Sequence, residues 1–286
     1  MDNMVLVLDE SGAKGYADKT EEFEGDLGVM AGILYTRQEM FSIELMLSQI
    51  IKPFNEHVTG KFHIADLKKE HQNSLRDLIF SSFRSIELQW LYKAIYSQGI
   101  HQSEFQEKRG GTRNKKVSLH VELFRHIFLH SLMLAASLNK VNLNLLVITD
   151  TIDNGTLKKF NKEANYFIDF LMGKKRKIFR YIKNETNGKY EKEYASILTT
   201  SDSIPKFEKI QFEIKCKNTP LTLAADILAN STYYYLRKGL KANKSAHLNN
   251  LNAIADHPLS DLALVQKNEK DEISILDIIY RRECPK

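Results

Sequence analysis

The chain has 286 residues, 43% hydrophobic and 27% charged, the composition of a folded globular protein with a real core, which excludes the disordered and fibrous classes. No apolar run approaches the roughly 18 to 20 residues that span a bilayer, and Met1-Asp2-Asn3-Met4-Val5 lacks the basic start of a secretory signal, so a cytoplasmic protein without membrane contact is expected. A net charge of +5 with a pI near 8.9 leans toward acidic partners.

The first element is the apolar run Met4-Val5-Leu6-Val7-Leu8, which reads as a strand buried on both faces and ended by Asp9-Glu10-Ser11-Gly12. Leu27 to Tyr35 reads as a second strand, able to pair with the first as a long hairpin, in which Gly28 and Gly32 suggest close backbone approach. From Arg37 to Phe54 the spacing of Met40, Ile43, Leu47, Ile50 and Ile51 predicts an amphipathic helix stopped near Pro53. A short extended piece, Lys61-Phe62-His63-Ile64, precedes another helix through Leu75, Leu78, Ile79 and Phe83, and Ile86 to Ile95 reads as the third strand. Ser97 to Lys116, with Gly110-Gly111 at its centre, has no apolar period and is expected to be a mobile loop.

Val117 to Leu138 is the strongest helix pattern, and it leads into Leu143 to Asp150, a second buried strand that ends in an acid. Thr156 to Met172 reads as a helix, Lys209 to Lys215 as a strand, and Pro220 to Leu236 as a helix with Thr219 at the N-cap and proline at the first position. Beyond Ala246, Leu262 to Val265 and Ile273 to Leu276 fit a hairpin, although Ile275 to Tyr280 also fits a helix. Cys216 and Cys284 lie far apart without metal-ligand spacing, which argues against a disulfide framework or a zinc site.

Positive charge falls in three clusters: Lys108, Arg109, Arg113, Lys115 and Lys116; then Lys174, Lys175, Arg176, Lys177, Arg180 and Lys183; then Arg237, Lys238, Lys241 and Lys244. Any one suits a solvated surface as well as a phosphate-binding face; three beside an acidic centre point toward nucleic acid. Lys115, Lys116, Lys174, Lys175, Arg176 and Lys177 are the nucleic-acid-binding candidates.

The order of elements makes an α/β arrangement in which strands ending in Asp9 and Asp150 bring both carboxylates to one end of the sheet, provided they lie side by side and parallel. Asp226 sits in the otherwise apolar helical stretch Leu221 to Ala229, with small Thr222 and Ala229 beside it. A carboxylate there needs a metal, a hydrogen-bond donor or a lysine to offset its burial. Asp150 alternatively serves the turn Thr151 to Gly155.

These residues resemble a known family. Leu8-Asp9-Glu10-Ser11-Gly12, His63-Ile64-Ala65-Asp66-Leu67, Leu146-Val147-Ile148-Thr149-Asp150 and Ala225-Asp226-Ile227-Leu228-Ala229 are similar to the motifs of the domain of unknown function 3800 family, regarded as ribonuclease H-like. They are spread over about residues 4 to 236, with one departure: Leu223 stands where such proteins often carry Gln. The resemblance implies a ribonuclease H-like mixed five-stranded sheet flanked by helices over 1–240. This domain would include a helical insertion at about 37–85 and the loop at about 97–116, and 241–286 would form a C-terminal extension. It further implies that Asp9, Asp150 and Asp226, with Glu10 as a possible fourth, hold Mg²⁺ or Mn²⁺, hard ions suited to carboxylate oxygens.

Glu10 joins them only if the strand ends at Asp9, because successive strand residues face opposite ways. His63 is carried over as a proton shuttle or phosphate contact, with a structural histidine as the alternative. The expected activity is metal-dependent hydrolysis of RNA or DNA, with a role as effector of a bacterial phage-defence or mobile-element system. The competing expectation is a non-catalytic module binding nucleic acid, a protein partner or a second copy. An aspartyl-nucleophile phosphatase ranks lower, because no Asp-x-Asp follows the first strand and no Gly-rich phosphate loop is present.

Overall fold

A computed structural model of the chain describes residues 1–13, 26–55, 62–100, 115–174, 176–183, 190–197, 207–244, 246–265 and 274–281. The first strand, β1 (Asp2–Gly12), pairs antiparallel with β2 (Leu27–Thr36), which pairs antiparallel with β3 (Trp90–Tyr96). On its other side β1 runs parallel to β4 (Asn142–Thr149), and β4 runs parallel to β7 (Lys209–Cys216). The sheet order is therefore β3-β2-β1-β4-β7, a five-stranded mixed α/β sheet.

Alternation along β1 divides the molecule into two cores, as period-two geometry requires. Val5 and Val7 face α1 (Met40–Asn55), α2 (Lys69–Ser85) and α5 (Pro220–Leu240), whereas Met4, Leu6 and Leu8 face α3 (Lys115–Ser137) and α4 (Asn154–Leu171). All five are almost fully buried, which is why the strand reads as an unbroken apolar run. At Gly32, opposite Leu8, an added Cβ would run into the carbonyl of Val7, so the expected close approach is present.

Several boundaries differ from the sequence reading. β3 starts at Trp90 rather than Ile86, because α2 extends to Ser85 and the amide of Leu88 returns to the carbonyl of Phe83, with Glu87 in a left-handed turn at φ 50°. α1 runs two residues past Pro53, whose missing amide costs one bond in the last turn. Of the expected loop, Ser97 to Ile100 are helical and Lys115 already opens α3; 101–114 lie outside the described residues. A hairpin of β5 (Arg176–Lys183) and β6 (Tyr190–Ile197), described by its backbone, stands apart from the main sheet where only a charge cluster was read.

Of the two C-terminal alternatives the helix over Ile275 to Tyr280 is the one present, as the short α6 (Ile275–Ile279), and with two 3₁₀ turns in place of the hairpin it covers the edge of β3. Asn249 acts as a surrogate strand neighbour: its Oδ1 accepts the amide of Ala94 at 2.9 Å and its Nδ2 donates to the Ala94 carbonyl at 2.8 Å. Asp277 on α6 holds Asn249 in turn, and Leu264 donates to the carbonyl of Trp90 at 2.6 Å. These bonds satisfy part of an edge that otherwise offers itself to another strand. No described helix is long and apolar enough to cross a membrane.

Candidate active site

The parallel register Leu8↔Thr149 places Asp9 and Asp150 next to each other toward the C-terminal ends of the two central strands, Asp9 three residues before β1 ends and Asp150 just after β4. Asp9 follows the parity of Val5 and Val7, and Asp150 that of Leu146 and Ile148, so both carboxylates turn to the face covered by α5. Asp226 approaches from α5 itself. All three line one cavity of about 430 Å³ together with Glu10, His63 and Asn230. A smaller hollow of about 270 Å³ lies between α1 and the start of α5, and its lining among the described residues, from Ile51 and Phe62 to Thr219 and Leu223, includes no ionisable side chain.

Each acid is positioned by a backbone amide. Asp9 Oδ1 accepts from the Glu10 amide at 2.8 Å, Asp150 Oδ1 from Thr151 at 2.6 Å, and Asp226 Oδ2 from Ile64 at 3.1 Å. The turn alternative for Asp150 is therefore realised in part, but the cap of α4 is Asp153, which receives the amides of Gly155 and Thr156. Asp226 finds the Ile64 amide and His63 as its partners rather than a lysine.

His63 stands between the end of β4 and α5: its Nε2 lies 3.9 Å from Asp150 and its Nδ1 3.8 Å from Asp226. Its own amide donates to Asp66, which closes the 3₁₀ turn Ile64–Asp66 and fixes the ring over the cavity. The side chain is 40% exposed, so it is a cavity-wall group and not a core histidine.

β1 continues to Gly12, beyond the Asp9 end on which a ligand role for Glu10 is conditioned, and Glu10 Oε2 lies 3.4 Å from Nε2 of buried His120, yet the Glu10 side chain also hydrogen-bonds that of Asp9. That histidine, missed in the sequence, packs edge-on against Phe160. Glu10 still lines the cavity, and its charge acts on both Asp9 and Asp226.

Crowding of these acids shows in their acidities. Burial first, then the charges of Glu10 and Asp226, push the Asp9 carboxyl well above its ordinary range. Asp226 is also raised, chiefly by burial; the Ile64 amide and His63 pull it back, while Glu10 and Asp150 push it up. The donors are hard carboxylate oxygens with surplus negative charge, which fits a divalent cation such as Mg²⁺ or Mn²⁺. Among the described residues no three His, Cys, Asp and Glu groups are drawn together as a ready-made metal cage.

The chain matches no family model and no curated protein.

Asn230 belongs to this cavity without any sequence signal, and so does the contact with Arg76 behind it. Asn230, one turn beyond Asp226 on α5, lines the wall, and its Oδ1 accepts from Nη2 of Arg76 on α2 at 2.7 Å. That bond fixes the amide so that Nδ2 remains as a donor. Both residues look ordinary in a linear reading because α2 and α5 are 154 positions apart at this contact.

The basic candidates divide. The backbone of Lys115 and Lys116 opens α3 about one turn before His120, at the carboxylate end of the sheet. Lys174 is exposed and paired with Asp169 at 2.7 Å beyond the far end of α4, whose 18 residues span about 27 Å from the Asp150 side. Lys175 lies outside the described residues, and the backbone of Arg176 and Lys177 begins β5 on the same distal side. The side chains of Lys115, Lys116, Arg176 and Lys177 also lie outside the described residues.

Proposed function

We propose that the chain is a metal-dependent nuclease of ribonuclease H-like architecture, hydrolysing phosphodiester bonds of RNA or DNA. The observation that carries this reading is the meeting of Asp9, Asp150 and Asp226, from two parallel strand ends and a packed helix, on one open cavity. The sheet order, with two parallel connections on one side of β1 and two antiparallel on the other, is in keeping with that architecture.

In this reading Asp9, Asp150 and Asp226 would hold divalent ions, which when bound would supply Lewis-acid activation of water and charge neutralisation at the phosphorus and would favour the ionised form of the buried acids. His63, within 4 Å of two of the acids and open to the cavity, carries the proton that the attacking water loses or the departing oxygen gains. Asn230, held by Arg76, donates Nδ2 to a non-bridging phosphoryl oxygen. As the new P–O bond forms to water, the ester P–O bond breaks and the leaving oxygen takes up a proton.

The test is incubation of purified protein with labelled RNA, single- and double-stranded DNA and a hybrid, in Mg²⁺, Mn²⁺ or chelator. Asp9→Asn and Asp150→Asn are expected to abolish cleavage while folding and nucleic-acid affinity persist. Equal cleavage by wild type and both variants would refute the assignment, and salt-sensitive binding without turnover in any metal would favour a binding module.

A further inference from the structure

The open residues of α5 form a line that starts in the cavity. Asp226, Asn230, Tyr233 and Arg237 recur at four-, three- and four-residue steps, and Tyr234 and Lys241 flank them. At 3.6 residues per turn these six positions fall within an arc of roughly 100°, and Asp226 to Lys241 covers roughly 22 Å of helix. The residues on the opposite side of α5, among them Leu221, Ala224 and Leu228, are fully buried, and although Leu223 on the stripe's own side is buried before the stripe begins, the stripe from Asp226 onward is the more open side of the helix.

Its chemistry changes along its length. At the cavity it offers a carboxylate and the Asn230 amide. Next comes Tyr233, whose ring lies so close to cavity-lining Gly12 that a Cβ there would meet it at 2.6 Å. Gly12 itself has φ +80°, so a residue without a side chain is what lets the ring lie at the cavity mouth. The Arg237 guanidinium sits 5.5 Å from the centre of that ring, and Tyr234 beside it is 63% exposed. Beyond them lies exposed Lys241.

We infer that this stripe of α5 is the track for a single strand of nucleic acid, leading from the carboxylate cavity over Tyr233 and Tyr234 to Arg237 and Lys241. The inference rests on the nuclease reading for the chemistry at its head. A single strand is the occupant because the half-open ring of Tyr233 and the exposed ring of Tyr234 can stack unpaired bases while the cations Arg237 and Lys241 that follow them hold phosphates, whereas paired bases present no free face to such rings. Positive charge at the distal end complements the backbone leaving the site. The track also replaces Lys174, which lies on the far side of α4.

The experiment is fluorescence anisotropy of the full chain with a labelled twelve-nucleotide single strand and the matching duplex, with Ca²⁺ in place of Mg²⁺ to prevent turnover. Tyr234→Ala is expected to weaken single-strand binding about tenfold, with Tyr234→Trp restoring it. Arg237→Gln combined with Lys241→Gln should lower the slope of log affinity against log salt by about 1.4. Lys174→Gln should leave both unchanged, and circular dichroism should show all variants folded. Unchanged single-strand affinity in the α5 variants, or duplex binding as tight and as sensitive to them, would overturn the track. Should wild type cleave while those variants bind normally, the track fails and the nuclease stands; weakened binding in a protein that cleaves nothing supports the track and sinks the nuclease.

Discussion

Replacing Asp9 by Asn tests the cation site directly, through stability rather than turnover. Asp9 and Asp226 bind protons more readily in the folded protein than in the unfolded chain, since burial and neighbouring acids raise both. In chelator the folded state therefore holds more protons than the unfolded state between the ordinary carboxylate pKa, about 4, and the raised values. Stability is fully present below that window, falls as pH rises through it, and stays reduced above it. Cations reverse the loss by binding the ionised form.

At a metal concentration one hundred times the dissociation constant the gain is about 2.7 kcal/mol. With about 2.1 cal/mol/K of unfolding entropy per residue, 286 residues give about 0.6 kcal/mol/K, so Tm should rise by about 4 to 5 °C near neutral pH and by less near pH 5. Asp9→Asn keeps an oxygen for the Glu10 amide and removes one charge. The variant should be more stable than wild type in chelator at neutral pH and should lose most of the metal-induced shift. Calorimetry with and without Mn²⁺ at both pH values measures this. Equal metal shifts in wild type and Asp9→Asn, or none in either, would refute the cation assignment.

His63→Gln should lower kcat roughly a hundredfold or more with little change in KM, as loss of a proton carrier requires; a rise in KM alone would make it a phosphate contact. Asn230→Ala should reduce cleavage, and Arg76→Gln should do so to a similar degree because it acts through the same amide; full activity in Arg76→Gln would disprove the positioning role. Gly12→Ala places a side chain at φ +80° against Tyr233 and the Leu27 carbonyl, so a loss of more than about 1 kcal/mol in urea unfolding is expected. Asn249→Ala leaves the Ala94 amide and carbonyl unpaired and should cost about 1 to 3 kcal/mol, with concentration-dependent association visible by light scattering.

What was legible in the sequence was the part written in local pattern. β1 and β4 announce themselves because both faces of each are buried, and the acids that end them are placed by strand register alone. Asp226 was conspicuous as a charge in an apolar helix. For Glu10 the strand's length was the illegible part: β1 runs three residues past Asp9, and the Glu10 side chain reaches both His120 and Asp9. Arg76 and Asn230 leave no trace because their meeting depends on how α2 packs beside α5. The β5–β6 hairpin was hidden by its lysines and arginines, which mask strand alternation, and the C-terminal strap by bonds from single side chains that follow no period.

The Asn249 contact also orders events during synthesis. β1 to β3 can pair once residue 96 has left the ribosome, but the outer margin of β3 waits for residues 249 and 264, more than 150 positions later. At 5 to 20 residues per second that interval lasts roughly 8 to 30 seconds. Throughout it the nascent chain carries an unprotected strand, a natural station for a chaperone and the moment at which two growing copies are most exposed to mispairing.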